Sequence, residues 1–140
     1  MKVLFRIFSL LLILTLFLFS LTACSGGIDR SDAKLFVEEF FAAVASEDDA
    51  KAQAYLHPHC EGELSLFLTG TESRLGVRFA DGITVVRHTG FQYSFYNSAV
   101  DGSQYTMHIE TRIGEKTVNF SVMVVQNDAG YGIYDLTVDE

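Results

Sequence analysis

The chain is short of basic residues, with 10 Lys and Arg against 18 Asp and Glu in 140 residues, a formal charge of −8. That balance excludes a nucleic-acid binder, which needs a basic face to neutralise phosphates. Proline occurs once, at Pro58, and no repeat or low-complexity tract follows the N-terminal segment. A string of linked domains is thereby excluded, and the length leaves room for one compact domain. Charged residues make up 20% of the chain beside 49% hydrophobic residues, which excludes a largely disordered protein. The two cysteines, Cys24 and Cys60, permit at most one disulfide. Neither the G-x-S-x-G spacing of a nucleophile elbow nor the G-x-x-x-x-G-K spacing of a phosphate loop occurs.

What is abundant is unevenly placed. Lys2 and Arg6 precede an uncharged run from Ile7 to Ile28 whose centre, Leu10 to Leu21, is almost entirely Leu, Ile and Phe. A basic segment followed by an apolar one is the pattern of a secretory signal. A run of roughly 20 apolar residues is also long enough to span a bilayer. The residues that end it bear on this choice. Leu21-Thr22-Ala23-Cys24 resembles the lipobox of bacterial lipoproteins, and Ser25-Gly26-Gly27 follows as a polar tether. The resemblance implies cleavage between Ala23 and Cys24 and acylation of the Cys24 thiol. It also implies a protein of the bacterial cell envelope, lipid-anchored, with its domain on the extracytoplasmic side.

The expected organisation is therefore a signal peptide at 1–23, a lipidated tether at 24–30 and a folded domain at 31–140. Two or more acyl chains anchor stably, because each buried methylene contributes on the order of 0.8 kcal/mol. Loss of the signal leaves 8 basic against 18 acidic residues, a mature charge of −10. Anionic headgroups repel such a body, so it is expected to stand off the membrane. Cys60 is then the one unmodified thiol, and the domain must rely on its core rather than a disulfide.

Within the mature chain, Ser31 or Asp32 is expected to cap a helix. Its inward face carries Phe36, Val37, Phe40, Phe41 and Val44, and it ends near Ser46. Glu47-Asp48-Asp49 opens a second, alanine-rich helix of about residues 49–56, stopped by Pro58. Cys60 to Leu68 reads as a short helix with Gly70 beyond its end, although Leu64, Leu66 and Leu68 fit a strand equally well. Residues 69–82 read as a loop with a helical turn. From Ile83 the period changes to two, in runs broken at Asp101-Gly102, Gly114-Glu115 and Asn127-Asp128-Ala129-Gly130, with a bend or bulge at Gly90. Helices followed by short-connected strands predict an α+β fold, with N-terminal helices packed on the apolar face of a bent antiparallel meander of about four strands.

This order resembles the NTF2-like, cystatin-like superfamily. The residues that carry the likeness are the Phe40-Phe41 pair, the acidic turn Ser46-Glu47-Asp48-Asp49 and Tyr55-Leu56-His57-Pro58 before a bent meander. The likeness covers about residues 31–139, is architectural, and brings no catalytic residue with it. The fold it implies hosts isomerases, dehydratases, ligand carriers and noncatalytic modules, so it does not assign function.

Four groups of residues could carry chemistry. His57-Pro58-His59-Cys60, with Glu61 or Glu63, holds the donor types that suit zinc or copper, but its spacing matches no standard zinc pattern and no metal or other cofactor is expected. The bland reading is a helix end, with imidazoles near the last carbonyls. His108 and Glu110 could form an acid–base pair, yet lie on a polar strand face where solvated residues are the norm. His88 follows Arg87 near the bend and has no partner recognisable in sequence. The aromatic residues Phe40, Phe41, Tyr55, Phe91, Tyr93, Phe95, Tyr105 and Phe120 fall on inward faces, where they either line a cavity for a small apolar ligand or fill the core. Inward Tyr93 and Tyr105 need partners for their hydroxyls. These features favour a membrane-anchored, noncatalytic module that binds a small apolar ligand or another envelope protein. The alternative is a small isomerase- or dehydratase-like enzyme with its site inside the cone.

Overall fold

The computed structural model describes residues 27–139. The signal segment, Ala23 and Cys24 lie outside the described residues. No helix among those residues is long and apolar enough to cross a membrane.

The first helix, α1, spans Arg30–Ala45. Its cap is Asp29 rather than Ser31 or Asp32, because the Asp29 carboxylate accepts from the backbone N–H of both at 2.9 Å. Ile28 before the cap is buried in the same apolar cluster as Ala33, which fixes the angle at which the chain enters the helix. Val37, Phe40, Phe41 and Val44 are buried on one face, and Ser46 closes the helix where expected.

The second helix, α2, spans only Asp49–Gln53, capped by Asp48 through Lys51 N–H at 3.0 Å. It stops short of Leu56 because residues 55–57 leave helical geometry to pair with the last strand. Ile133 N–H donates to Tyr55 O at 2.9 Å and His57 N–H to Ile133 O at 2.8 Å. The third helix, α3, spans Leu64–Leu75, starting and ending later than expected. Gly70 does not end it, since a solvent-facing glycine inside a helix costs only about 1 kcal/mol. The stop is Gly76, at φ 62°, helped by Lys116 Nζ donating to Leu75 O at 2.7 Å. Residues 69–75 are therefore helical rather than loop. The helical turn expected in 69–82 is a 3₁₀ turn at Phe79–Asp81, where Glu72 Oε1 accepts from Phe79 N–H at 2.7 Å.

Four antiparallel strands follow, β1 Ile83–Asn97, β2 Gly102–Ile113, β3 Lys116–Asn127 and β4 Gly130–Asp139, in the sheet order β1-β2-β3-β4. The α+β meander expected from the sequence is thus the observed architecture. Register shifts in β1 fall at three places, one of them between His88 and Gly90 as the glycine suggested. The pairs Met107↔Val122 and Ile109↔Phe120 put these residues on the face that the helices cover, and all four are fully buried. Thr111 shares that face and satisfies its hydroxyl by donating to Val118 O at 2.8 Å. On the opposite face, Arg87 Nη2 pairs with Glu110 at 2.9 Å and His108 Nδ1 lies 3.3 Å from Asp139. His108 and Glu110 thus engage different partners and form no acid–base pair.

Candidate functional site

The candidate site is assembled where the segment after α2 meets the edge strand β4. Leu56 and Ile133 form a parallel bridge beside Gly132. A Cβ on Gly132 would lie 2.5 Å from His57 N, so only glycine lets the two backbones approach this closely. The approach buries the His57 side chain to 2% exposure. His57 Nδ1 accepts from His59 N–H at 3.1 Å, which leaves the proton on Nε2 to be donated to Asn127 Oδ1 at 3.0 Å. Asn127 spends its remaining capacity on Val100 O at 2.8 Å and Ala129 N–H at 2.9 Å. Both imidazole nitrogens are therefore committed to protein, and His57 is a structural clasp instead of a ligand. Among the described residues no group of three or more His, Cys, Asp or Glu side chains could hold a metal ion.

Next to this clasp lies a cleft of about 450 Å³ between α3 and β4, lined by Leu56, Cys60, Leu64, Leu66, Phe67 and Leu136 among others. Exposed Glu61, Glu63 and Asp135 also border it, which gives an apolar cleft with an acidic border. The volume lies within the ordinary range for small-molecule sites. Burial, and then the Asp135 charge, push the Cys60 thiol above its usual pKa. A thiol so perturbed stays protonated and is a poor nucleophile. The cleft thus offers apolar walls that can receive an apolar body, with carboxylates at its border that can meet a positive group.

The aromatic residues named from the sequence divide into two sets. Phe40, Phe41, Tyr105 and Phe120 are buried in the core, with Phe41 5.3 Å from Phe40 and 5.1 Å from Phe120 between ring centroids. Tyr55 is half-buried and donates to Glu39 Oε2 at 3.3 Å. Phe91, Tyr93 and Phe95 are exposed on β1. None of these lines the cleft. The Tyr105 hydroxyl is buried with no hydrogen-bond partner, and so is His88 Nδ1, while His88 Nε2 lies 3.8 Å from Glu38. Burial, and then Lys34, hold the His88 pKa below its usual value.

The cleft-lining Leu136 and Asp135, and the clasp partner Asn127, carried no local signal. Asn127 reads as a turn residue and the other two as ordinary alternation on a strand. Compared with known proteins, the chain matches no family model, no curated protein and no solved structure.

Proposed function

We propose that this protein is a lipid-anchored component of the bacterial cell envelope. In this reading residues 1–23 are a signal peptide, Cys24 carries the acyl chains, and an NTF2-like α+β domain serves as a noncatalytic binding module. The observation that carries the binding reading is the cleft beside β4. It joins apolar walls to a carboxylate border and contains a thiol held in its unreactive form. The ligand it suits is a small molecule with an apolar body and a cationic group. The noncatalytic reading is supported by His57, whose ring nitrogens are both engaged, and by His108 and Glu110, which point to separate partners.

The test is native mass spectrometry of the protein purified from its own host's envelope. Wild type should carry a small adduct that Leu66→Asp, a change at an exposed cleft residue, removes. A wild-type mass without adduct, or an adduct unchanged by Leu66→Asp, refutes the site. The anchor is tested separately by membrane fractionation of Cys24→Ala and by the mass of the wild-type N-terminal peptide. An unlipidated peptide refutes it.

A further inference from the structure

The exposed aromatic strip of β1 has a particular neighbour. Phe91, Tyr93 and Phe95 are 52%, 44% and 66% exposed, an unusual concentration of aromatic surface on one strand. Phe91 and Tyr93 pair in register with Met107 and Tyr105, so they share the face that the helices cover elsewhere. Gly27 crosses this end of the strip. A Cβ there would lie 2.7 Å from Tyr93 Oη and 3.8 Å from the Phe95 ring. Arg30 follows, with its guanidinium carbon 4.0 Å from the centroid of the Phe91 ring.

Cys24 is three residues before Gly27, and three residues of extended chain reach at most about 11 Å. On the lipoprotein reading, on which this inference rests, the acyl chains therefore enter the bilayer within that distance of the strip's edge. The tether is too short to let the opposite end of the sheet turn toward the membrane while the strip stays in water. Phenylalanine and tyrosine favour the headgroup boundary, where the ring is buried and a hydroxyl stays wet. A guanidinium beside them is placed for lipid phosphates. The net charge of −10 opposes approach of the body as a whole, so contact falls to the aromatic strip, where Arg30 places a positive charge over the Phe91 ring.

We propose that Phe91, Tyr93 and Phe95, with Arg30, form a membrane-contact surface that seats the anchored domain on the lipid interface and fixes its orientation. The domain then does not stand off the bilayer, as its charge alone implied, but rests on it by the end from which its tether leaves.

The chain has no tryptophan, so a single introduced one reports without background. Phe95→Trp and, about 30 Å away along β1, Val86→Trp are each made in the full lipidated protein. Each is reconstituted in phosphatidylethanolamine–phosphatidylglycerol vesicles with plain or brominated acyl chains. The expected result is blue-shifted emission at position 95, quenched about two-fold or more by the brominated chains, and no quenching at 86. A Tyr93→Trp reporter should lose most of its quenching when Phe95→Glu is added. Equal emission of Phe95→Trp in plain and brominated vesicles overturns the proposal. So does its shielding by a second copy, seen as cross-linked dimers with an unquenched reporter. Failure of the lipoprotein reading is separate, because it shows as an N-terminal peptide without lipid.

Discussion

Asn127 is the most informative single residue to remove. Its side chain holds the His57 Nε2 proton, the Val100 carbonyl and the Ala129 N–H, so Asn127→Ala breaks three hydrogen bonds at once. The Ala129 N–H sits in an exposed turn and can turn to water, so its loss costs little. The His57 ring is buried and keeps a donor with no acceptor, a penalty of roughly 1–3 kcal/mol, and a typical net hydrogen bond adds about 1 kcal/mol for Val100. The expected loss is about 3 kcal/mol, or about 12 °C in Tm for a domain of this size. Urea titration followed by far-UV circular dichroism, on the full chain in mild detergent, measures it. Asp128→Ala, an exposed neighbour, is the control and should stay within about 0.5 kcal/mol of wild type. Exchange at the Ile133 amide, which donates to Tyr55 O across the same seam, should lose protection before the strand centres do. Stability of Asn127→Ala within about 0.5 kcal/mol of wild type would refute the claim that the clasp holds the seam together.

Gly70→Ala should raise stability by about 1 kcal/mol, because an added Cβ at this helical site meets nothing within 4 Å. Gly132→Ala should cost about 2–3 kcal/mol, since its Cβ would collide with the backbone of His57 and Leu56; thermal melts of both variants check the two signs. Asp135→Asn should lower the Cys60 pKa and speed its alkylation by iodoacetamide near pH 8, while a rate unchanged across pH would show that the carboxylate does not act on the thiol. His88 favours its neutral form in the folded state, so folding disfavours proton uptake there. Its contribution is present above the unfolded value of about 6.5 and declines as pH falls toward the lower folded value. NMR titration of His88 should show a midpoint below that of an unfolded peptide, and Lys34→Gln should raise it.

The sequence made the strands legible because alternation and turn chemistry are local. Asp101-Gly102, Gly114-Glu115 and Asn127 to Gly130 each fall at an observed strand end or connection. The helix boundaries were less legible for physical reasons that differ from case to case. Asp29 outcompeted two other capping residues because its side chain reached both of their N–H groups. Gly70 looked like a stop because a glycine's small cost cannot be told from a terminus without the helix that absorbs it. The end of α2 depended on Ile133, far along the chain, and so did the cleft. Leu136 and Asp135 border it only because β4 comes to lie beside α3. Aromatic periodicity put Phe91 and Tyr93 on the same sheet face as Met107 and Tyr105, but it carries no information about where a covering helix ends, and Phe91, Tyr93 and Phe95 are exposed rather than inward.

The consecutive strand order has a kinetic consequence. The strand connections are short, from Asn97 to Gly102, Ile113 to Lys116 and Asn127 to Gly130, so each hairpin closes cheaply as soon as its second strand exists. The Leu56–Ile133 bridge is different in kind, because it closes a loop of 77 residues and needs β4 already in place. During N-to-C synthesis the sheet can therefore grow strand by strand, while the seam and the cleft beside it wait for the final segment. A chain cut off before β4 would retain β-structure but have neither the seam nor the cleft, so in this fold the presence of the cleft reports that the last strand has docked.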